Sequence, residues 1–156
     1  MAKKSAGILL YRMKNENPEF FMVHPGGPFW KNKDLGAWSI PKGEFGADEN
    51  ALDAARREFA EETGSPVTGA FIELTPVKLK SGKMVYAWAV EGNIDANRIL
   101  CQTLVDVEWP PRSGKFQFIP EVDRGEWFSL AEAKKKVNPS QVPLIDELTK
   151  KINFSG

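Results

Sequence analysis

The 156-residue sequence is short of the side chains on which several common chemistries rest: it has one cysteine, one histidine and no net charge. A lone Cys101 excludes an internal disulfide and fits a reducing compartment. It reads as a small buried hydrophobe rather than a nucleophile. His24 has no second His or Cys nearby, which makes it a poor zinc ligand and leaves no Ser-His-Asp or Cys-His arrangement to support. It is expected to end a strand, facing a cleft or solvent. No G-x-x-x-x-G-K-[ST] phosphate loop occurs. Long apolar runs are missing too. The N-terminal run Gly7–Tyr11 is five residues long, whereas a secretory core needs roughly 7–15 and a membrane span about 20. The expectation is a soluble, cytoplasmic chain without a membrane partner. Lys plus Arg and Asp plus Glu both number 21, so no global basic field recruits nucleic acid.

What is present is ordinary for a globular protein, with 42% apolar and 27% charged residues. The length suits one domain, residues 1–156, able to bury roughly 70% of its unfolded surface. No repeat, low-complexity segment or linker divides it. Ser5–Tyr11 and Phe20–His24 read as strands around the turn-like KNENP. A Gly- and Pro-rich loop, Pro25–Gly36, precedes a short apolar strand, Ala37–Ile40, halted by Pro41. A helix is expected from about Glu49 to Thr63, stopped by Gly64 and Pro66, with Ala51, Leu52, Ala55 and Phe59 on its apolar side. Val67–Lys80 and Lys83–Val90 read as extended segments meeting at Ser81–Gly82. Val105–Trp109 is a further strand, followed by the loop PPRSGKFQFIPEVDRG and the short strand Glu126–Phe128. Ser129–Glu132 is a capping box for a helix ending before Pro139, and a last helix carries Leu144, Ile145, Leu148 and Ile152 on one face. The fold class is therefore α+β, a mixed sheet with helices packed on it.

Within the central helix, the stretch REFAEETG crowds Glu58, Glu61 and Glu62 into five residues. At 100° per residue the three lie within about 100° of arc, on one narrow face. Like charges three and four apart repel by a few tenths of a kcal/mol each. Clustered carboxylates are hard ligands suited to Mg²⁺ or Mn²⁺, which turn that repulsion into attraction. A run of acids alone is more often a solvated helix face. The surrounding residues decide otherwise.

Gly43, five residues, Glu49, seven residues, then Arg57-Glu58-Phe59-Ala60-Glu61-Glu62-Thr63-Gly64 resembles the signature of the Nudix hydrolase family. Seven fixed positions match; at roughly 7% usage per residue type, chance gives on the order of one such match in a million chains. The final apolar slot holds Ser65 instead, before Pro66, and Val67 is expected to take over its packing.

The resemblance implies a Nudix fold, a mixed sheet sandwiched between helices, and Mg²⁺-dependent hydrolysis of a nucleoside diphosphate linked to another group, with Mn²⁺ as a substitute. It implies Glu58 and Glu62 as principal metal ligands, Glu61 as a third ligand or a base, and Gly43 as the position whose carbonyl joins the metal shell. Arg57 would orient and neutralise the glutamates. Glu49, read in the first helical turn, also profits from the helix dipole. Glu121, six residues before Trp127 in PEVDRGEWFSL, is the candidate base outside the helix, against the reading of a solvated loop carboxylate.

Lys42 in WSIPKGEF gives the Pro-Lys-Gly form that looks like that of diadenosine polyphosphate and diphosphoinositol phosphate hydrolases; it is a candidate to meet extra phosphates as a point charge, the competing role being a surface lysine at a strand end. Arg112 and Lys115, in WPPRSGKF, are candidates to close over a polyphosphate. Trp30 with Phe29, or Phe116 with Phe118, are candidates to stack on a base, the competing role being to cover the core. The expected partner is a small nucleotide or polyphosphate, first a dinucleoside polyphosphate and next a nucleoside triphosphate. An RNA 5′ end is weakened by the neutral net charge. A catalytically silent nucleotide sensor of the same fold predicts gaps among the glutamates, and there are none. Monomer and homodimer both stay open.

Overall fold

The computed structural model describes residues 3–153. The first two strands are β1, Lys4–Lys14, and β2, Asn17–Pro25. They are joined by a two-residue turn, since Lys14 pairs with Asn17. Asn15 and Glu16 both take positive φ, 52° and 67°, as the hairpin turn matched to strand twist requires. Ser5–Tyr11 is buried without alternation, as befits a central strand covered on both faces.

The remaining elements are β3, Lys42–Glu44; α1, Ala51–Thr63; β4, Ile72–Glu73; β5, Val77–Lys78; β6, Met84–Glu91; β7, Leu104–Glu108; β8, Phe116–Pro120; β9, Val122–Ser129; α2, Leu130–Lys136; and α3, Val142–Lys151. The main sheet runs β4-β6-β1-β2-β9, with β3 also on β1 and β5 also on β6. It is mixed, because β1 pairs parallel with β6 and antiparallel with β2 and β3. One face packs Ala6, Ile8 and Leu10 against Ala54, Ala55 and Phe59 of α1. The other packs Leu9 and Tyr11 with Leu144, Ile145 and Leu148 of α3. The arrangement is the expected α+β sandwich. No helix among the described residues is long and apolar enough to cross a membrane.

One edge of β1 serves two partners in turn: Tyr11–Lys14 pair with β2, and Ser5–Gly7 pair with β3. Beyond Tyr11, β2 turns its other edge to β9. The gap that opens between β2 and β3 is where the cleft forms.

Several expectations need correction. Asn50 caps α1, its side chain accepting from the Asp53 N–H, so Glu49 stands before the helix rather than in its first turn. Gly64 ends α1 with φ 78° and donates to the Ala60 carbonyl. Ala37–Ile40 makes only isolated bridges, Ser39 with Val23 and Trp38 with Val137. Gln141 fastens the segment further: its Oε1 accepts from the Ile40 N–H at 3.0 Å while its Nε2 donates to Ser39 Oγ. Val67–Lys80 is mostly irregular, with only β4 and β5 in pairs on β6. FQFIP, read as loop, is the strand β8, which forms a separate two-stranded sheet with β7. Val67, as expected, is buried in the α1 core.

His24 is neither in the cleft nor in solvent. It is 0% exposed, with Nδ1 2.9 Å from Asp123 Oδ1 and Nε2 2.7 Å from the Lys33 carbonyl. The pair of bonds ties the Gly-rich loop to the start of β9.

Candidate active site

Helical spacing puts Glu58 and Glu62 one turn apart on α1, and both are buried, at 8% and 4% exposure. Buried carboxylates are rare unless something cationic meets them. For Glu58 that is Arg57, whose Nη1 donates to Oε1 at 2.9 Å. The same guanidinium grips Glu49 with two bonds of 2.9 Å and reaches both Glu61 oxygens at 3.3 Å. Arg57 is thus the hub of three carboxylates, and the Glu49 bonds above all push its pKa further up. Glu49 is held below the usual carboxylate range by the same contact.

Glu62 has no such partner. Burial first, then the Glu121 and Glu58 charges, push it up to about 9, opposed by Lys42. Glu58 is raised by burial and by Glu61, against the pull of Arg57. Glu121, at the bend between β8 and β9, is raised by burial and by Glu61, with Lys42 opposing. Its backbone is fixed on both sides: its N–H donates to the Thr103 carbonyl, and its carbonyl accepts from Gly26. Lys42 is pulled below the usual lysine range by burial, against Glu62 and Glu121. It makes no hydrogen bond or ion pair to any described residue. An apposed, desolvated set of acids and one lysine at a cleft is the electrostatic mark of a functional site.

Two cavities meet at Lys42 and Glu121. The first, about 150 Å³, adds Glu62 to a wall of Val23, Pro25, Ile40 and Val122. The second, about 420 Å³, adds Glu58, Gly43, Glu44, Ser5, Lys83 and Val105. At Gly43 the Glu58 carboxylate lies where a Cβ would stand, well inside the 3.0 Å that real Cβ atoms respect. Only glycine lets the backbone come this close. Among the described residues no three His, Cys, Asp or Glu side chains form a ready metal centre. The donors that converge, two or three carboxylates beside an open backbone, suit a hard cation that keeps waters and phosphate oxygens in its shell.

The sequence-predicted residues divide accordingly. Gly43, Lys42, Glu58, Glu62 and Glu121 line the two cavities. Arg57, Glu49 and Glu61 form the bonded layer outside them. Trp30 does not line either cavity; it packs on the main core, edge-on to Phe29 with Lys33 over both rings. Arg112 and Lys115 sit exposed at the tip of the β7–β8 hairpin, where Glu108 accepts from the Arg112 N–H. Phe116 and Phe118 are exposed on β8. Cys101 is half-buried against the α1 core. Sequence reading missed Ser5, Lys83, Ser39 and Gln141. The first two reach the cleft only through sheet register, and a buried glutamine in a terminal segment gives no local signal.

A NUDIX domain model matches residues 1–148. No curated protein matches the sequence. Among solved structures, a Caenorhabditis elegans Ap4A hydrolase binary complex is similar at 19% identity and a TM-score of 0.66, over 97% of this chain and 98% of that one. The NUDIX domain of Shewanella oneidensis NrtR complexed with ADP ribose gives 16% and 0.68, over 97% and 89%. A MutT protein from Methanosarcina mazei gives 17% and 0.60, over 97% and 95%. At such identities the likeness is one of fold, and the domain match carries the assignment: the chain belongs to the Nudix hydrolase family.

Proposed function

We propose that this chain is a Mg²⁺-dependent pyrophosphohydrolase, acting within one domain on a phosphoanhydride bond of a nucleoside diphosphate derivative, with a dinucleoside polyphosphate as the preferred substrate. The observation that carries this is the meeting of buried Glu58 and Glu62 with Glu121 and unpaired Lys42 at the junction of two cavities. Acids alone would repel a polyphosphate, and a lysine alone would bind one without cleaving it. Together they suit a cation and a phosphate chain side by side.

Glu58, Glu62 and the Gly43 carbonyl would hold the ion, with Mn²⁺ as a substitute; Glu61 would join them as a third ligand on leaving Arg57. When bound, a divalent ion lowers the pKa of a coordinated water and offsets charge on the phosphate oxygens. Arg57 keeps Glu58 and Glu61 in place through its anchor on Glu49. Lys42 meets a phosphate oxygen as a compact point charge. Glu121 takes the proton from the attacking water. It borders both cavities, whereas Glu61 is turned to Arg57. Water adds to phosphorus, the bridging P–O bond breaks, and the leaving phosphate departs as an anion. The apolar wall of Val23, Pro25, Ile40 and Val122 suits an uncharged part of the nucleotide. The solved relatives named for Ap4A hydrolysis and for an ADP ribose complex support a substrate of this type.

The test is turnover of diadenosine polyphosphates, nucleoside triphosphates, ADP-ribose and diphosphoinositols, with and without Mg²⁺. Metal-dependent cleavage that Glu62→Gln abolishes is the expected result. Undiminished activity in that variant overturns the metal assignment, and no turnover of any compound favours a nucleotide sensor. Products formed in ¹⁸O water identify the phosphorus attacked.

A further inference from the structure

Ser5 Oγ is the one buried side-chain nitrogen or oxygen among the described residues without a hydrogen-bond partner. The residue is 1% exposed and stands on β1 between exposed Lys4 and the buried apolar run that starts at Ala6. An orphaned buried hydroxyl is destabilising, and alanine would fit a strand interior without it. Its surroundings point to a ligand. Ser5 borders the larger cavity with Lys42 and Lys83. Register places Ser5 opposite Glu44 and Gly7 opposite Lys42, so Ser5, Lys42 and Glu44 share one face of the β1–β3 pair. Two rungs, about 7 Å, separate the Ser5 end from the Lys42 end. Lys83 closes that end, bonded to Glu44 at 2.9 Å.

We propose that this end of the cavity is a subsite for a phosphate of the substrate that lies beyond the bond being cleaved, with Ser5 Oγ donating to a phosphate oxygen and Lys83 supplying charge. The proposal rests on the hydrolytic reading above and deepens it. A hydroxyl and an ammonium are both donors, and phosphate oxygens are acceptors able to take both. A diphosphate centred between Glu62 and Lys42 does not reach Ser5; a longer chain does. Ser5 therefore sets a preference for chain length. The carboxylate Glu44 neutralises part of the Lys83 charge, which keeps the subsite from retaining free anions when the chain is short.

Ser5→Ala removes the donor and the orphaned group together, so the fold is expected to hold its melting temperature. On a dinucleoside tetraphosphate, kcat/KM should fall by about ten-fold more than on ADP-ribose, the size of one hydrogen bond to a charged group. The loss should appear in KM rather than kcat. Equal losses on both substrates, or no loss on either, overturn the subsite. Calorimetric binding of inorganic tripolyphosphate with Mg²⁺ provides a readout independent of turnover. If the wild-type chain cleaves nothing, the hydrolytic reading fails, and tripolyphosphate still decides the subsite: weaker binding to Ser5→Ala supports it, and equal binding overturns it.

Discussion

Gly43→Ala separates the site from the fold more cleanly than removal of a glutamate. The new methyl overlaps the Glu58 carboxylate, well inside 3.0 Å. Ordinary contact between such atoms lies near 3.5–4 Å, so the carboxylate must withdraw by more than about 1 Å. Withdrawal also pulls Glu58 off the Arg57 Nη1 it accepts from at 2.9 Å. A displacement of this size at a reacting centre costs on the order of 10²-fold in rate. The backbone itself has no objection, because Gly43 is not among the positive-φ glycines. Alanine there even restricts the unfolded chain, worth about 0.4–1 kcal/mol in favour of folding. The expected outcome is a kcat lowered about 100-fold and a steeper requirement for Mg²⁺, with a melting temperature held or slightly raised. Steady-state kinetics over a Mg²⁺ series and a thermal melt measure both. Wild-type kcat at wild-type Mg²⁺ concentrations would refute the view that Glu58 works from this position.

Metal-free protein should lose stability as pH rises. Glu62 titrates near 9 folded against an ordinary 4.5, so between these values the folded chain keeps a proton the unfolded chain has released. The slope approaches about 1.4 kcal/mol per pH unit from this group; the penalty is absent below the lower value and complete above the upper. Melts in chelator from pH 5 to 9 should show the decline, and Glu62→Gln should flatten it; a flat wild-type curve refutes the assignment. At the β1–β2 turn, Glu16 sits at φ 67°, a conformation costing a non-glycine residue about 1–2 kcal/mol. Glu16→Gly creates the Asn-Gly pair such turns favour and should raise the melting temperature by about 2–4 °C. A fall would show that the glutamate has an interaction there that outweighs the strain.

The sequence revealed most where one element carries the information. Gly43 and the α1 carboxylates are close in the chain, and helix geometry alone puts Glu58 beside Glu62. The strands β1 and β2 were legible because apolar runs were bounded by turn residues. Legibility failed where long-range pairing decides. FQFIP became a strand only through its register with β7. Ala37–Ile40 has a strand's composition, but only Ser39 exchanges backbone bonds with β2, while Trp38 and Ile40 turn to residues 136–141. His24 does stand at the end of β2, but nothing local shows that Asp123 and the Lys33 carbonyl would meet it there and bury it. Glu49 falls just before the Asn50 cap, two residues short of α1, because Asn50 is the better cap. Trp30, Arg112 and Lys115 were assigned from loop composition, which carries no direction. Ser5 escaped notice for the opposite reason, a small polar residue in a strand that otherwise reads as core.

The clasp of Gln141 on Ser39 and Ile40 also sets an order of assembly. Its bond to the Ile40 N–H spans 101 residues, and the same segment is held by Trp38 accepting from Asn138 and donating to the Lys136 carbonyl. A chain emerging from the ribosome completes the acidic helix by residue 64, yet the floor leading to Lys42 waits for residues 136–141. Long-range closures of this kind come late and slowly in folding. A nascent chain thus displays its carboxylates well before it can shape a cleft around them, and the wall beside Lys42 closes only once residues 136–141 are in place.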